Sequence, residues 1–252
     1  MICPVERITS AKNPLIRHVR QLLSSRDYRE ECGEFAAEGW KLLEEALRWY
    51  PHFTAVVVTE NATLPALPPQ TRVVCVPQSL MQSLSAMRTP QGVVFALRLP
   101  ERKEPELHPG MLLLDRIQDP GNLGTILRTA DAFDIPVVLT NGCADPFSEK
   151  TVRASMGAVF RTPPQTLALP KLLQICAEKK LPLAATALSP TALDIREVSL
   201  ADKLAVIGSE GQGICSELLA ASQTQVIIPM SERCESLNAA VAAALVLWQM
   251  KK

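Results

Sequence analysis

Short apolar runs bounded by turn residues alternate along this chain with longer stretches in which apolar residues recur every three or four positions. The first pattern predicts strands and the second predicts helices. Leu15, Val19, Leu22 and Leu23 fall at helical spacing with basic residues between them, so a short amphipathic helix is expected over 14–23. A brief strand is expected over 35–37, then a helix before Tyr50 whose buried stripe is Leu42, Leu43, Ala46 and Leu47, with Glu38 and Gly39 at the junction. Two β-branched runs, 53–59 and 72–76, flank the turn-rich segment NATLPALPPQ. A helix over 78–85 and a strand over 92–97 complete a small α/β unit.

The next stretch, PERKEPELHP at 100–109, is charged and proline-rich with almost nothing to bury, which predicts a linker. The domain boundary is therefore placed between 1–104 and 105–252. Beyond it, strands are expected at 111–114, 135–139, 183–187, 204–207 and 225–228. Helices are expected from Leu123, near 149–155, and over 170–179, 214–221 and 237–250. This regular alternation predicts an α/β fold with a parallel sheet and helices on both faces. The last helix is apolar nearly all round and rich in alanine, as suits deep burial or a subunit interface.

Composition narrows the class. Lys and Arg number 26 and Asp and Glu number 26, so no bulk electrostatic argument for a nucleic-acid partner is available. Locally the balance differs: from Met1 to Arg29, Arg7, Lys12, Arg17, Arg20, Arg26 and Arg29 face only Glu6 and Asp27, and such a leader suits phosphate. Seven cysteines, scattered and without a C-x-x-C pair, make neither a disulfide framework nor a zinc site, so no metal is expected. The N-terminus lacks the apolar core of a signal peptide and no apolar run reaches membrane-spanning length, which together predict a soluble cytoplasmic protein.

Candidate chemistry sits at three strand ends. In LLLDRIQDPGNLGTILRTADAFD, an apolar strand ends at Asp115, a turn follows at Asp119, Pro120 and Gly121, and Asn122 is placed to cap the next helix. Gly124 and Arg128 share a face of that helix, apart from the apolar face of Ile126, Ala130 and Phe133. In LAVIGSEGQGI, a buried strand runs into Gly208, Gly211 and Gly213, with Glu210 between, where a ligand can approach backbone closely. This order of glycines is neither a dinucleotide fingerprint nor a P-loop. In QVIIPMSERCESLN, another strand leads through a polar loop to Ser236, Leu237 and Asn238 at a helix start. A further basic helix, with Lys150, Arg153, Ser155 and Gly157, lies in DPFSEKTVRASMGAVFR.

In this order, these motifs closely resemble those of the SpoU, or TrmH-type, RNA ribose 2'-O-methyltransferases of the SPOUT superfamily. Motif one resembles Asp119-Pro120-x-Asn122-x-Gly124-x-x-x-Arg128, motif two Gly208-x-Glu210-Gly211-x-Gly213, and motif three Ile228-Pro229-Met230 followed by Ser236-Leu237-Asn238. Residues 35–97 resemble the small α/β substrate-binding domain that such enzymes carry before the catalytic one, and the leader from Ile8 to Leu23 follows the same pattern. Glu232, Cys234 and Ala239 depart from the family pattern in the last loop, where Gly, an aliphatic residue and Val are usual.

The resemblance implies a C-terminal trefoil knot, S-adenosylmethionine bound within it, and a homodimer whose interface closes the site. It implies catalytic roles for Asn122, Arg128, Glu210, Ser236 and Asn238. It also implies cofactor binding by Leu139, Thr140, Asn141, Gly208, Ser209, Gly211, Ile228, Met230 and Leu237. Methyl transfer to a ribose hydroxyl needs in-line approach and removal of a proton. An arginine is ordinarily protonated far above neutrality, so Arg128 acts either as a base of strongly depressed pKa or by binding phosphate or the developing alkoxide. The expected activity is methylation of structured RNA, with rRNA preferred. The alternatives are tRNA, or a non-catalytic RNA-binding or assembly protein on the same fold.

Overall fold

In the computed structural model, residues 6–60, 62–85, 87–101, 104–231, 233–234 and 236–252 are described. Met1 to Val5 of the basic leader, Asn61, Arg102 and Lys103 of the expected linker, and Glu232 and Glu235 of the last loop lie outside them. The chain divides into two compact units, one of residues 1–101 with 147–161 and one of 102–146 with 162–252.

The first unit opens with β1 (Glu6–Arg7), α1 (Pro14–Ser24), α2 (Arg26–Cys32), β2 (Glu34–Glu38) and α3 (Trp40–Trp49). It continues through β3 (Phe53–Thr59), β4 (Arg72–Val76), α4 (Gln78–Leu84) and β5 (Val93–Arg98). The strands form one mixed sheet in the order β1-β4-β3-β5-β2. Asn13 caps α1, its side chain accepting from Leu15 N at 2.9 Å, and Pro14 lacks the N–H that a first turn would leave unpaired. Leu15, Ile16, Val19 and Leu22 then bury one side of α1 on the sheet. The periodicity gave no sign of α2, because its sequence RDYREEC has no apolar stripe. It is built by its ends, with Ser25 accepting from Tyr28 N at 3.2 Å and Gly33 closing it at φ +66°.

The second unit runs from β6 (Leu112–Asp115) through α5 (Pro120–Ala132) to β7 (Val137–Thr140). After α6 (Glu149–Ser155) and α7 (Ala158–Arg161) come β8 (Gln165–Leu167), α8 (Leu169–Lys179), β9 (Leu183–Thr186) and β10 (Leu193–Asp194). A single 3-10 turn at Ile195–Glu197, β11 (Leu204–Gly208), α9 (Ser216–Ala221), β12 (Thr224–Ile227) and α10 (Ala239–Met250) complete the chain. Its strand order is β10-β12-β9-β11-β6-β7-β8, and every described pairing is parallel. Leu112, Leu113 and Leu114 are wholly buried, as the unbroken apolar run required of a strand covered on both faces.

Two expectations change here. The stretch 100–109 is not wholly free of packing: Leu107 is 1% exposed in the core of the second unit, and Lys179 Nζ donates to its carbonyl at 3.4 Å. One leucine among charges and prolines leaves no periodic signal. The helices α6 and α7 belong to the first unit although β7 and β8 flank them in sequence. Phe147 and Phe160 pack on Phe35 with ring centroids 4.9 and 6.3 Å apart, and Arg161 pairs with Glu45, so aromatic burial places this segment.

Candidate functional site

Register places the site's foundations. Parallel pairing of β11 with β6 sets Gly208 opposite Asp115, so the glycine turn and the loop leading to α5 leave the sheet side by side at its carboxyl edge. Asp115 is 1% exposed, and its carboxylate accepts from Thr140 Oγ1 at 3.0 Å and Cys215 N at 2.8 Å. The side chain of Arg116 donates to Asp115 at 3.3 Å, to Gln212 Oε1 at 2.9 Å and to the Gly213 carbonyl at 3.5 Å. This pair braces the glycine turn against the strand it pairs with. Sequence reading noted Asp115 only as a strand end and missed Arg116, whose neighbours lie about a hundred residues away.

The turn itself is tight. Ser209 and Gly213 exchange two backbone hydrogen bonds of 3.1 and 2.9 Å, lifting Glu210, Gly211 and Gln212 to the tip. A Cβ on Gly208 would stand 2.2 Å from the Gly213 carbonyl carbon and 2.3 Å from Ile214 N, so glycine there is a steric requirement. Gly213 meets a different one, a left-handed backbone at φ +65°.

Asn122 does not cap α5, contrary to expectation. Asp119 does, accepting from Asn122 N at 2.8 Å, and Pro120 fills the first helical position. The helix therefore starts three residues earlier than its apolar pattern, and Asn122 has its side chain free for another partner. It donates to Glu210 Oε1. That oxygen also accepts from Asn238 Nδ2 at 3.2 Å and Ala239 N at 3.3 Å, while Asn238 Nδ2 reaches Asn122 Oδ1 at 3.1 Å. Asn238 is the cap of α10 as well, accepting from Ala240 N at 2.9 Å and Val241 N at 3.3 Å. One carboxylate thus ties together three loops that are far apart in sequence.

Beside this cluster lies a cleft of about 540 Å³, a volume suited to a single small ligand. Gly208, Ser209, Gly211, Ile228, Met230 and Leu237 all line it, as do Glu210 and Ser236. Leu139, Thr140 and Asn141 do not. Leu139 is buried in the core, Thr140 is held on Asp115, and Asn141 opens onto a separate polar cleft shared with Arg116 and Cys215. Arg128 is also outside the cluster. It is exposed on α5, its side chain making no hydrogen bond or ion pair among the described residues, whereas Gly124, one turn before it, is buried.

Along one side of the cluster, α5 and α10 run in the same direction. Asn122 meets Asn238 at their starts, and Phe133 meets Trp248 near their ends with ring centroids 6.0 Å apart. The buried side of α10 carries Ala240, Ala243, Val246 and Leu247. Its other side exposes Val241, Leu245 and Trp248, at i, i+4 and i+7, with Trp248 61% exposed. Among the described residues no group of His, Cys, Asp and Glu could hold a metal ion, and no helix is long and apolar enough to cross a membrane.

Comparison with known proteins agrees with this architecture. Residues 109–248 match the SpoU rRNA Methylase family, and residues 13–95 match the MRM3-like substrate binding domain. The chain is 31% identical to the 23S rRNA (guanosine(2553)-2'-O)-methyltransferase of Bacillus subtilis, over 98% of this chain and 100% of that protein. The crystal structure of an rRNA methyltransferase of Sinorhizobium meliloti with bound AdoMet superposes with a TM-score of 0.85 at 30% identity, covering 98% of this chain and 97% of that one. A TrmH-family RNA methyltransferase structure from Porphyromonas gingivalis gives 0.81 at 35% identity, over 93% and 96%.

Proposed function

Because this chain belongs to the SpoU rRNA methylase family, we propose that it transfers a methyl group from S-adenosylmethionine to a ribose 2'-hydroxyl of structured RNA, with rRNA as the substrate. The observation that carries this reading is the convergence of Asn122, Glu210 and Asn238 beside a ligand-sized cleft.

The cleft suits the cofactor in size and in chemistry. The backbone of Gly208 to Gly211, with Ile228, Met230 and Leu237, gives main-chain polar groups and apolar walls, the lining that an adenosine needs. The cofactor supplies an electrophilic methyl on a sulfonium sulfur. This chain's residues do the rest: the amides of Asn122 and Asn238 hold the Glu210 carboxylate in one orientation, so that it can accept from a hydroxyl or orient a base. Ser236, on the same wall, lines the approach. The guanidinium of Arg128 binds phosphate or the developing alkoxide. Leu139, Thr140 and Asn141 act through the fold, with Thr140 setting Asp115 beneath the glycine turn.

Residues 105–252, apart from the segment 147–161 that packs within the first unit, are read as the methyltransferase domain, knotted at its C-terminus. Supporting this, the chain beyond β12 returns to the turn after β11, where Ala239 N bonds Glu210. Residues 1–104 are read as the RNA substrate-binding domain, supported by the match over 13–95. We further read the enzyme as a cytoplasmic homodimer. The Val241, Leu245 and Trp248 stripe is exposed on α10, which packs along α5, and apolar residues so aligned fit a second copy of themselves about a two-fold axis. Pairing there would shield the exposed cluster from water, where its charges gain strength.

Two measurements test this. With S-adenosylmethionine labelled in the methyl group and protein-free 23S rRNA, label is expected in an alkali-resistant dinucleotide, the mark of a blocked 2'-hydroxyl. Cofactor binding without any incorporation into RNA would favour the non-catalytic alternative. In sedimentation velocity the protein is expected at dimer mass and Leu245→Glu at monomer mass, with methyl transfer lost in step. A wild-type monomer at micromolar concentration would remove the dimer.

A further inference from the structure

The first unit carries a feature that the methyl-transfer cluster does not use. No Asp or Glu occurs from Arg7 to Arg26, nor from Asn61 to Pro100, although the chain as a whole balances 26 basic against 26 acidic residues. These stretches supply α1 and α4, which pack together, and Arg20 Nη2 donates to Ser83 Oγ at 3.2 Å across them. With Leu15, Ile16, Val19 and Leu22 buried, Arg17, Arg20, Gln21 and Ser24 share the opposite side of α1 within about 100° of arc. The outer side of α4 is uncharged, offering Gln78, Gln82 and Ser83, and Arg88 follows it, exposed.

Ion pairing sharpens the asymmetry. Elsewhere on this unit Arg7, Arg26 and Arg72 are neutralised by Glu60, Glu30 and Glu6. Lys12, Arg17 and Arg88 have no ion pair among the described residues, and the bond of Arg20 goes to a neutral hydroxyl. The acid-free stretches around α1 and α4 therefore carry uncompensated positive charge in a neutral protein, among hydroxyls and amides that hydrogen-bond phosphate and ribose oxygens.

We propose that this α1–α4 face docks the sugar–phosphate backbone of the RNA substrate, holding it while a nucleotide is presented for methylation. The proposal rests on the RNA methyltransferase reading and adds to it the surface that grips the substrate. The contact is to backbone, not to bases, because no aromatic side chain stands among these residues to stack on one. Each phosphate neutralised by Lys or Arg releases counterions, so binding should weaken steeply with salt despite the zero net charge.

The test measures filter binding of protein-free 23S rRNA across about 50–300 mM KCl for the whole protein, for Lys12→Gln/Arg17→Gln/Arg20→Gln, and for Arg7→Gln/Arg26→Gln/Arg72→Gln. The two triple variants lose the same charge, but the second loses it from paired sites. The α1 variant is expected to bind about tenfold or more weaker, with the slope of log affinity against log salt smaller by about 2 to 3. The control should change by less than about threefold, since its cations are already compensated. S-adenosylmethionine affinity should be equal in all three, and the α1 variant should show a raised KM for RNA with kcat retained. If the α1 triple fails to fold, Arg17→Glu alone, at an exposed position, should still raise that KM. Equal binding and slope in both triples, or equal losses in both, would overturn the docking face. Failure of the wild type to bind or methylate the RNA would instead overturn the functional reading on which it rests.

Discussion

Replacing Arg128 by alanine is expected to lower single-turnover methyl transfer by about 10²–10³-fold, the usual effect of removing one hydrogen-bond donor from a developing oxyanion. Stability should move by no more than about 0.5 kcal/mol, because the Arg128 side chain is exposed and makes no hydrogen bond or ion pair among the described residues. Arg128→Lys should recover only part of the rate, since an ammonium lacks the two-pronged geometry that a guanidinium offers to phosphate. Asn122→Ala should show a loss of similar size for a different reason. It frees Glu210 Oε1 from one of its donors while leaving the start of α5 intact, as Asp119 is the cap. Asp119→Ala is the counterpart: it costs about 1 kcal/mol of stability through the lost cap. Quench-flow with labelled cofactor, alongside thermal melts, separates the two. Wild-type rates in both Arg128→Ala and Asn122→Ala would remove these residues from the chemistry.

Gly208→Ala is expected to weaken cofactor binding severely. The added methyl would lie 2.2–2.3 Å from backbone atoms of Gly213 and Ile214, which no rotamer change can relieve, so the turn must open. Opening it breaks the paired hydrogen bonds of Ser209 with Gly213, shifts Glu210 from its donors and deforms one wall of the cleft. Overpacking of this kind costs about 1–3 kcal/mol in stability, and calorimetric titration with S-adenosylmethionine should show affinity weaker by about 100-fold or more, since a deformed site must be rebuilt on binding. Gly211→Ala gives the comparison: its methyl would meet nothing within 4 Å, so its melting midpoint should match wild type. Normal cofactor affinity in Gly208→Ala would show that the tight turn is not what shapes the cleft.

The two glycines also show what kind of information each level holds. The motif Gly208-x-Glu210-Gly211-x-Gly213 was visible in the sequence as an invitation to close approach, but which atoms approach was not. Only the pairing of Ser209 with Gly213 reveals that Gly208 makes room for its own loop. Asn122 and Asp119 illustrate the same gap at a helix start. Both are good caps by residue type, and the choice between them fell to Pro120, which fits the first helical position and so moves the start of α5 upstream.

By itself, the sequence determined the order and kind of most elements, because period-two and period-3.6 burial are written into neighbouring residues. The solid apolar runs at β6, β7, β9 and β11 required a parallel sheet covered on both faces, and three strand-end motifs in order located the chemistry. Tertiary structure alone decided what those motifs do together. Glu210, Asn122 and Asn238 meet because β11 pairs with β6 and the chain returns from β12 to the same edge, while Arg116 braces the turn from the end of the adjacent strand. Such contacts join residues up to 116 positions apart, and their energy depends on strand order and register, which no local pattern of hydrophobicity encodes.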